Sequence, residues 1–233
     1  MAASVGVLHK VFKVGIICGS QRSPRAGPQI TDFVYKTIQA HQGRKENIGE
    51  HPAITFDHID LAALNLPILN EPAIPNQIKS PEAYVHERTR SWSRRVDALD
   101  AFVFVTPQYN WSIPGGLKNA LDYLLNEWND KAAMIVSYGG RGGGKCAVHL
   151  EIVLGGALSM RLVSKTVNLT FPGNQFLIKA AGGQELGLDP AKDNGIWSEK
   201  RSDIISAWDE LIELLVTGKK GKFIAPDWET KLL

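Results

Sequence analysis

Short apolar runs of strand length alternate along the chain with longer stretches whose apolar residues recur at helical spacing. The clearest run, residues 101–105, is apolar at every position, which is typical of a central strand buried on both faces of a parallel sheet. The pattern predicts five strands, at 11–18, 54–61, 101–105, 132–137 and 162–170. It predicts a helix after each strand, at 29–42, 82–98, 115–128, 146–158 and 197–216. Repeated strand and helix units of this kind predict a doubly wound α/β sheet.

Two connections carry the signals of irregular structure. Residues 65–75 contain three prolines, so this segment is predicted to be a loop over the sheet, in which Ile68 and the neighbouring leucines cover the core. Residues 171–195 are predicted to be a long glycine-containing excursion before the closing helix. Within the predicted helix 82–98, Val85 is expected on the apolar face.

The composition is that of an ordinary globular protein of 233 residues, 44% hydrophobic and 21% charged. Because this length suits one domain with a full core, residues 1–233 are predicted to form a single domain with its core at about 11–216 and polar tails. A net charge of +2 is too small to favour nucleic acid or an anionic membrane as a partner. The densest basic run, Lys219, Lys220 and Lys222, is expected to be a solvated tail.

Localisation signals and metal signatures are both missing from the pattern. Residues 1–10 lack an apolar core with a cleavage site, and no stretch approaches the ~20 apolar residues that cross a bilayer. Cys18 and Cys146 lie far apart without zinc spacing, so free thiols in a reducing compartment, the cytoplasm, are expected. The six histidines show no metal spacing, and no metal site is predicted.

A polar and aromatic loop follows the strand at 101–105, at the strand end where open α/β sheets bind their ligands. Tyr109 and Trp111 can flank a planar ring, while Gln108, Asn110 and the backbone amides can bond heteroatoms along its edge. The alternative is that Tyr109 and Asn110 only close a turn and cap the next helix.

The segment between the first strand and the first helix has the chemistry of an anion site. Residues 19–27 combine hydroxyls, two guanidinium groups and small residues in front of a helix amino terminus. A phosphate monoester would be held there by Ser20, Ser23, Arg22 and Arg25 together with free backbone amides. The alternative is a polar turn with a capping serine and solvated arginines.

Five glycines lie in the connector 138–144, after the fourth strand, and allow the backbone to approach a ligand closely. The spacing of Gly139 and Gly144-Lys145-Cys146 also approaches that of a phosphate-hydrolysing P-loop. Such a loop requires serine or threonine at the position of Cys146 to bind magnesium. No companion strand ends in an obvious magnesium carboxylate, so the P-loop is the weaker interpretation.

Three motifs together resemble those of the NADPH-dependent FMN reductase and quinone reductase family. They are Gly19-Ser-x-Arg22, Thr106-Pro-x-Tyr-Asn-x-x-x-Pro-Gly-x-Leu-Lys-Asn-Ala-Leu-Asp122, and Ser137-Tyr-Gly-Gly140. The resemblance covers about residues 13–216 and implies a flavodoxin-like fold. In that fold five parallel strands lie in the order 2-1-3-4-5, and the first, third and fourth strands end around one crevice.

The same resemblance implies bound FMN, with NADPH or NADH as the hydride donor. The residues that it predicts to bind FMN are Ser20, Arg22, Arg25, Gln29, Pro107, Gln108, Tyr109, Asn110, Ser137, Tyr138, Gly139 and Gly140. Ser20 and Arg22 would take the phosphate, residues 107–110 one edge and face of the ring, and residues 137–140 the other edge. The sequence departs from the family pattern at Pro24 and Arg25, where many members have small hydroxyl residues and Asn.

The activity implied by the resemblance is hydride transfer from a nicotinamide through flavin N5 to a quinone, a free flavin, an azo compound or a similar small acceptor. Because the cofactor carries this chemistry, no side chain is predicted to act as acid or base. Two alternatives stay open, a flavodoxin-type electron carrier and a regulator that uses the flavin redox state to choose a protein partner. Relatives are commonly dimers or dimers of dimers, so a homodimer or tetramer is expected, with the helices of Trp92 and after Gly116 as candidate interface.

Overall fold

A computed structural model of the chain describes residues 10–219 and residue 221. The predictions made for residues 1–9 and for Lys220 and Lys222 lie outside this described part. Within it, six strands pair in parallel to form one sheet. They are β1 (Phe12–Cys18), β2 (Ile54–Asp60), β3 (Ala101–Pro107), β4 (Ala132–Gly139), β5 (Arg161–Leu162) and β6 (Val167–Thr170).

The strand order is β2-β1-β3-β4-β5, with β6 also paired to β4. This confirms the predicted flavodoxin-like order 2-1-3-4-5. The prediction of one continuous strand at 162–170 is wrong, because the chain leaves β4 between β5 and β6. There the backbone N–H of Ser164 donates to the carboxylate of Glu210 (2.7 Å) instead of to a strand.

Helices connect the strands and cover both faces of the sheet. They are α1 (Gly27–Asn47), α2 (Leu61–Leu64), α3 (Glu87–Asp97), α4 (Gly115–Asp122), α5 (Gly144–Glu151), α6 (Asn174–Ala181) and α7 (Arg201–Thr217). A π-helical segment, Ile152–Ala157, continues α5, and short 3-10 turns lie at Pro75–Gln77, Pro81–Ala83 and Ser198–Lys200. Helix α6 falls inside the segment that was predicted to have no element.

Helix α3 is shorter than the sequence pattern predicts. The helix begins at Glu87 instead of residue 82, because Pro81–Ala83 forms a separate 3-10 turn. Val85 therefore lies before the first helical turn, where its N–H donates to the carboxylate of Glu71 (2.9 Å), and its side chain is exposed instead of buried.

Two further expectations are corrected, one about the residues of the 65–75 loop that cover the core and one about the end of helix α4. Ile68 is 86% exposed, whereas the core contacts of the 65–75 loop come from Leu66 and Leu69. Helix α4 ends at Asp122, and the chain continues in turns to Trp128. The indole N–H of Trp128 there donates to the carbonyl oxygen of Leu121 (3.3 Å).

The core consists of two apolar layers, one on each face of the sheet. Helices α1 and α7 cover one face, where Ile30 and Trp208 are fully buried. Helices α3, α4 and α5 cover the other face, where the rings of Phe102 and Trp128 lie 4.9 Å apart between centroids. Strand β3 is buried at every position, as its unbroken apolar run predicts. Together these layers hold the strands in a fixed register.

That register places the carboxyl ends of the central strands at one edge of the sheet. Cys18 of β1 pairs with Val105 of β3, and Pro107 of β3 pairs with Tyr138 of β4. Asp60, the last residue of β2, lies beside Cys18 at the same edge. No helix among the described residues has both the length and the apolar composition that crossing a bilayer requires.

Candidate functional site

The connections after β1, β3 and β4 meet around one cavity at the carboxyl edge of the sheet. The cavity has a volume of about 190 Å3. Of the twelve residues predicted to bind FMN, nine line it, and the exceptions are Gln29, Asn110 and Ser137. The topology thus brings together three loops: the first and second are about 90 residues apart in the sequence, and the second and third about 30. Ligands are expected at this point of a doubly wound sheet, where the strand order reverses.

The connection after β1 presents a helix amino terminus to this cavity. Ala26 precedes α1, and its side chain does not cap the helix, so the backbone N–H groups of Gly27 and Gln29 stay available to an anion, whereas Pro28 has none. Ser20, which is 1% exposed, packs against this terminus so closely that a Cβ built on Gly27 would lie 1.8 Å from the Ser20 Oγ. Glycine at position 27 is what allows the serine hydroxyl to reach the helix end.

The two arginines of this connection occupy different positions. The guanidinium of Arg25 donates to both carboxylate oxygens of Asp60 (2.9 and 2.6 Å) and to the Ser20 carbonyl oxygen. These hydrogen bonds hold the pKa of Asp60 below its ordinary value. Arg22 instead extends outwards and donates to the carbonyl oxygen of Ala181 at the end of α6 (2.7 Å).

Gln29 lies outside the cavity, and its side-chain amide makes two structural contacts. Its Nε2 donates to the carbonyl oxygen of Gln184 (3.0 Å), and its Oε1 accepts from the backbone N–H of Leu186 (2.9 Å). The side chain therefore fixes the segment that follows α6 against the start of α1.

The connection after β3 forms a tight turn. The backbones of Tyr109 and Ser112 exchange two hydrogen bonds (3.1 and 2.9 Å), and the two central residues, Asn110 and Trp111, have φ angles of 46° and 68°. These two hydrogen bonds involve only the outer residues, so the backbone N–H groups of Asn110 and Trp111 take no part in them. Tyr109 is half-buried at the cavity wall, and burial raises the pKa of its phenol.

Gln108 joins the second connection to the third. Its Oε1 accepts from the backbone N–H groups of Lys145 and Cys146 (3.1 and 3.2 Å) at the start of α5. In a P-loop these amides would cradle a phosphate. Burial raises the pKa of the Cys146 thiol to about 11, so this side chain stays protonated and is a poor magnesium ligand at neutral pH. The geometry therefore disfavours the P-loop interpretation.

The connection after β4 brings backbone to the cavity. Tyr138, Gly139 and Gly140 line the cavity, whereas Ser137 is buried behind them, with its Oγ 2.8 Å from the Gly142 carbonyl oxygen. Gly143 has a φ of 79°, and a Cβ there would lie 2.9 Å from the backbone nitrogen of Tyr138. Glycine is thus required at position 143 for this connector to fold back on β4.

Helix α6 closes the cavity from outside, a feature that the sequence pattern did not predict. Leu177, Ala180 and Ala181 of α6 contribute to the lining, together with Phe171, which precedes the helix. The apolar spacing of Phe176, Leu177 and Ala180 after the turn residue Gly173 is a helix signal, but it covers only two turns. A single short helix of this kind is easily taken for loop.

Comparison with known proteins agrees with the geometry. A family profile described as NADPH-dependent FMN reductase matches residues 12–172. The chain is 48% identical over 154 residues to NAD(P)H-dependent FMN reductase LOT6 of Saccharomyces cerevisiae, covering 65% of this chain and 78% of the yeast protein. It is 32% identical over 210 residues to NAD(P)H-dependent FMN reductase ntnL of Nectria sp., covering 89% of this chain and 99% of that protein.

A solved structure supports the same fold. FerB of Paracoccus denitrificans, a flavoenzyme NAD(P)H:(acceptor) oxidoreductase, superposes with a TM-score of 0.59 over 88% of this chain and 98% of its own, at 20% identity. The resemblance, the fold and the class of enzyme predicted from the sequence are all confirmed. With a family match over more than half of its length, the chain belongs to the NADPH-dependent FMN reductase family.

Proposed function

We propose that this chain binds FMN in the cavity at the carboxyl edge and uses it to pass hydride from NADPH or NADH to a small acceptor such as a quinone, a free flavin or an azo compound. The observation that carries this proposal is the convergence of three connections on one cavity, with an uncapped helix terminus on one side and an aromatic turn on the other. The FMN reductases among its relatives support the reaction class.

The α1 side of the cavity suits the phosphate of FMN. The first amides of α1 and the hydroxyl of Ser20 can donate hydrogen bonds, and Arg22 supplies a positive charge. Arg25 acts as a positioning residue in this proposal, because Asp60 and the Ser20 carbonyl oxygen already occupy its terminal nitrogens. It holds the backbone of Ser20 so that the hydroxyl faces the helix end.

The β3 and β4 side suits the flavin ring. Bound FMN would supply the hydride chemistry, accepting hydride at N5 and passing it on. Tyr109 can pack against the ring, while the turn amides at Asn110 and Trp111 can donate to its edge. The backbone at Gly139 and Gly140 allows close approach from the other side. These residues bind and orient, and direct hydride transfer needs no side-chain acid or base.

In this proposal helix α6 shifts outwards to admit FMN. A cavity of about 190 Å3 is smaller than the roughly 300–1,000 Å3 of typical ligand pockets. The contact of Arg22 with the Ala181 carbonyl oxygen keeps α6 over the opening. In this proposal Arg22 would give up that contact and donate to the phosphate of bound FMN instead.

The visible spectrum of the purified protein, before and after anaerobic addition of NADPH, tests cofactor and hydride transfer together. We expect a flavin spectrum that is bleached by the nucleotide and steady NADPH consumption with a small quinone. Bleaching without sustained turnover would indicate an electron carrier instead. A colourless protein that does not bind added FMN would refute the proposal.

Three substitutions test the assignment of the site. Arg22→Ala should weaken FMN binding through the phosphate, whereas Arg88→Ala, at an exposed position on α3, should not. Tyr109→Ala should lower flavin occupancy or turnover by removing the ring contact, while the far-ultraviolet circular dichroism stays unchanged. Asn110→Ala should do the same by straining the turn, because alanine rarely adopts the φ of 46° found there. An unchanged FMN dissociation constant in Arg22→Ala would remove that residue from the site.

We also propose that the protein works as a homodimer or a dimer of dimers in the cytoplasm. Trp111 and Val148 are 64% and 51% exposed, an apolar surface beside the turn that a second copy could cover. Trp92 is buried and donates to the Ala120 carbonyl oxygen (2.9 Å), so this residue packs inside the chain. Light scattering of Trp111→Glu should show a smaller mass than wild type, and equal masses would exclude this surface.

Cys18 and Cys146 are both free and buried, which suits a reducing compartment.

A further inference from the structure

Two histidines and an aspartate converge on the side of the sheet away from the flavin cavity. They are His41 near the end of α1, His51 just before β2, and Asp209 in α7. Among the described residues, their ligand atoms form a group within 4.8 Å of one another. Because the three residues come from separate elements, their spacing in the sequence gives no metal motif. The sequence pattern therefore predicted no site here.

The distances suit a shared cation. His51 Nε2 lies 3.4 Å from Asp209 Oδ1, and His41 Nε2 lies 2.6 Å from the same oxygen. In a tetrahedral zinc site with bonds of about 2.1 Å, neighbouring ligand atoms are about 3.4 Å apart. The His51 contact already has this separation. The Asp209 side chain is 41% exposed, so its carboxylate has room to move away from His41 by the remaining distance.

Gln42 determines which nitrogen of His51 faces the aspartate. The indole N–H of Trp208 can only donate, and it lies 3.0 Å from Gln42 Oε1. The amide nitrogen of Gln42 donates to the carbonyl oxygen of Pro52 (2.8 Å), which can only accept. These two partners fix the orientation of the Gln42 amide.

The fixed amide sets the tautomer of His51. His51 Nδ1 lies 2.8 Å from Gln42 Oε1, an acceptor, so Nδ1 must carry the proton. In neutral His51, Nε2 then presents a lone pair towards the carboxylate oxygen of Asp209. Two acceptors that face each other need a proton or a cation between them. Metal-binding histidines are held in this way, with the second nitrogen donating to a neighbouring oxygen.

The group is accessible from solvent. His51 and Asp209 line an open cavity of about 690 Å3, together with the acidic residues Glu46, Glu50 and Glu213. Lys45 pairs with Glu50 and Lys219 with Glu213, which offsets part of that charge. His41 and the His51 side chain are nearly buried behind the carboxylate. A hydrated cation can therefore enter from the cavity side and lose water to the two imidazoles.

We propose that His41, His51 and Asp209 bind a zinc ion, with the fourth coordination position open to the cavity. Two imidazole nitrogens and one carboxylate oxygen are ligands that Zn2+ prefers, whereas Ca2+ and Mg2+ favour all-oxygen sites. The ion would join α1, the start of β2 and α7. Since these elements meet away from the carboxyl edge, zinc binding is independent of flavin binding.

Equilibrium dialysis of the tag-free, FMN-loaded protein against zinc chloride, after removal of metals with a chelator, tests this proposal. We expect one zinc ion per chain. At a free zinc concentration 100-fold above the dissociation constant, binding stabilises the folded state by about 2.7 kcal/mol. For a chain of this size, the unfolding temperature should then rise by roughly 5–10 °C.

Two variants locate the ion. His51→Gln and Asp209→Asn should each weaken zinc binding at least about 10-fold. His86→Gln, which changes an exposed histidine, and Asp203→Asn, which changes an exposed carboxylate on the same helix α7, should leave it unchanged. Flavin content and the unfolding temperature without metal report whether each variant is folded.

Three outcomes would overturn the proposal. The first is that the wild-type protein binds no zinc. The second is that His51→Gln and Asp209→Asn bind zinc as tightly as the wild type. A third measurement needs no variant, because one equivalent of zinc should shift the imidazole NMR signals of His41 and His51. Unchanged signals from both residues would exclude the site even if a variant failed to fold.

Discussion

Gly27→Ala tests the close contact between the start of α1 and the connection after β1. A Cβ at position 27 would lie 1.8 Å from Ser20 Oγ, 2.9 Å from Ser20 Cβ and 3.1 Å from Cys18 Sγ. Rotation of the Ser20 hydroxyl can relieve the first of these contacts. The other two remain, because they involve atoms held by β1 and by the buried backbone of Ser20.

The expected loss of stability follows from two opposing effects. Forcing one extra carbon into a packed site costs about 1–3 kcal/mol. Alanine is favoured over glycine within a helix by roughly 0.5–1 kcal/mol, and less at the first helical position. The net destabilisation is therefore about 1–2 kcal/mol, which corresponds to a decrease of roughly 2–8 °C in the unfolding temperature.

Gly27→Ala should also lower the affinity for FMN, because the displaced Ser20 hydroxyl can no longer donate to the phosphate. A hydrogen bond to a charged group contributes about 1.5–3 kcal/mol. Its loss would weaken FMN binding roughly 10- to 100-fold.

Thermal unfolding of the FMN-free protein and fluorescence titration with FMN measure the two effects separately. Gly43→Ala is the matched control, since it lies in the same helix with nothing within 4 Å of the added Cβ. That variant should gain about 0.5–1 kcal/mol and bind FMN normally. Ser20→Ala in the Gly27→Ala background should recover part of the lost stability. If Gly27→Ala is as stable as Gly43→Ala and binds FMN as tightly, the packing argument is wrong.

Three further predictions concern the same edge of the sheet. Gln108→Ala should uncap α5 and destabilise the fold by about 0.5–2 kcal/mol in urea unfolding, whereas Gln39→Ala, at an exposed position, should not. Arg25 lowers the folded-state pKa of the partly exposed Asp60. The pair therefore contributes at most about 1 kcal/mol to the free energy of unfolding, and this contribution is complete above the unfolded-state pKa of about 3.9. The contribution is lost as the pH falls through the lower folded-state pKa. The difference in unfolding temperature between wild type and Asp60→Asn should therefore shrink below about pH 4. A difference that stays constant with pH would contradict the pairing. Cys146, with a pKa of about 11, should resist iodoacetamide at pH 8 in the folded protein and react after unfolding, as mass spectrometry can show.

Local patterns in the sequence were sufficient to locate strands β1 to β4 and the three connections, but not to separate β5 from β6. An unbroken apolar run at 101–105 favours the middle of a covered sheet, and β3 lies there. The order of the strands was implied by the resemblance to the FMN reductase family, and the structure has that order. Since parallel strands end at a common edge, the sequence predicted that the loops after β1, β3 and β4 would meet there, and nine of the twelve predicted residues line one cavity.

The partners of individual side chains could be known only from the tertiary structure. The sequence indicates a free cation at Arg25, but the register of β2 against β1 places Asp60 within hydrogen-bonding distance of its guanidinium. Gln108 reads as a flavin ligand, but its acceptor oxygen caps a helix that begins 36 residues later. Long polar side chains select the nearest complementary group in space, and local sequence does not contain that information.

The same limit explains why α6 and the histidine cluster were not predicted. Helix α6 is too short to be identified by periodicity, and its residues Leu177, Ala180 and Ala181 line the cavity. His41 and Asp209 are 168 residues apart and meet because α1 and α7 cover the same face of the sheet. Hydrophobic patterning and turn chemistry, which act over a few residues, determined the architecture and the location of the candidate site. Contacts between distant elements, fixed only when the sheet and its covering helices pack, decided the role of each side chain.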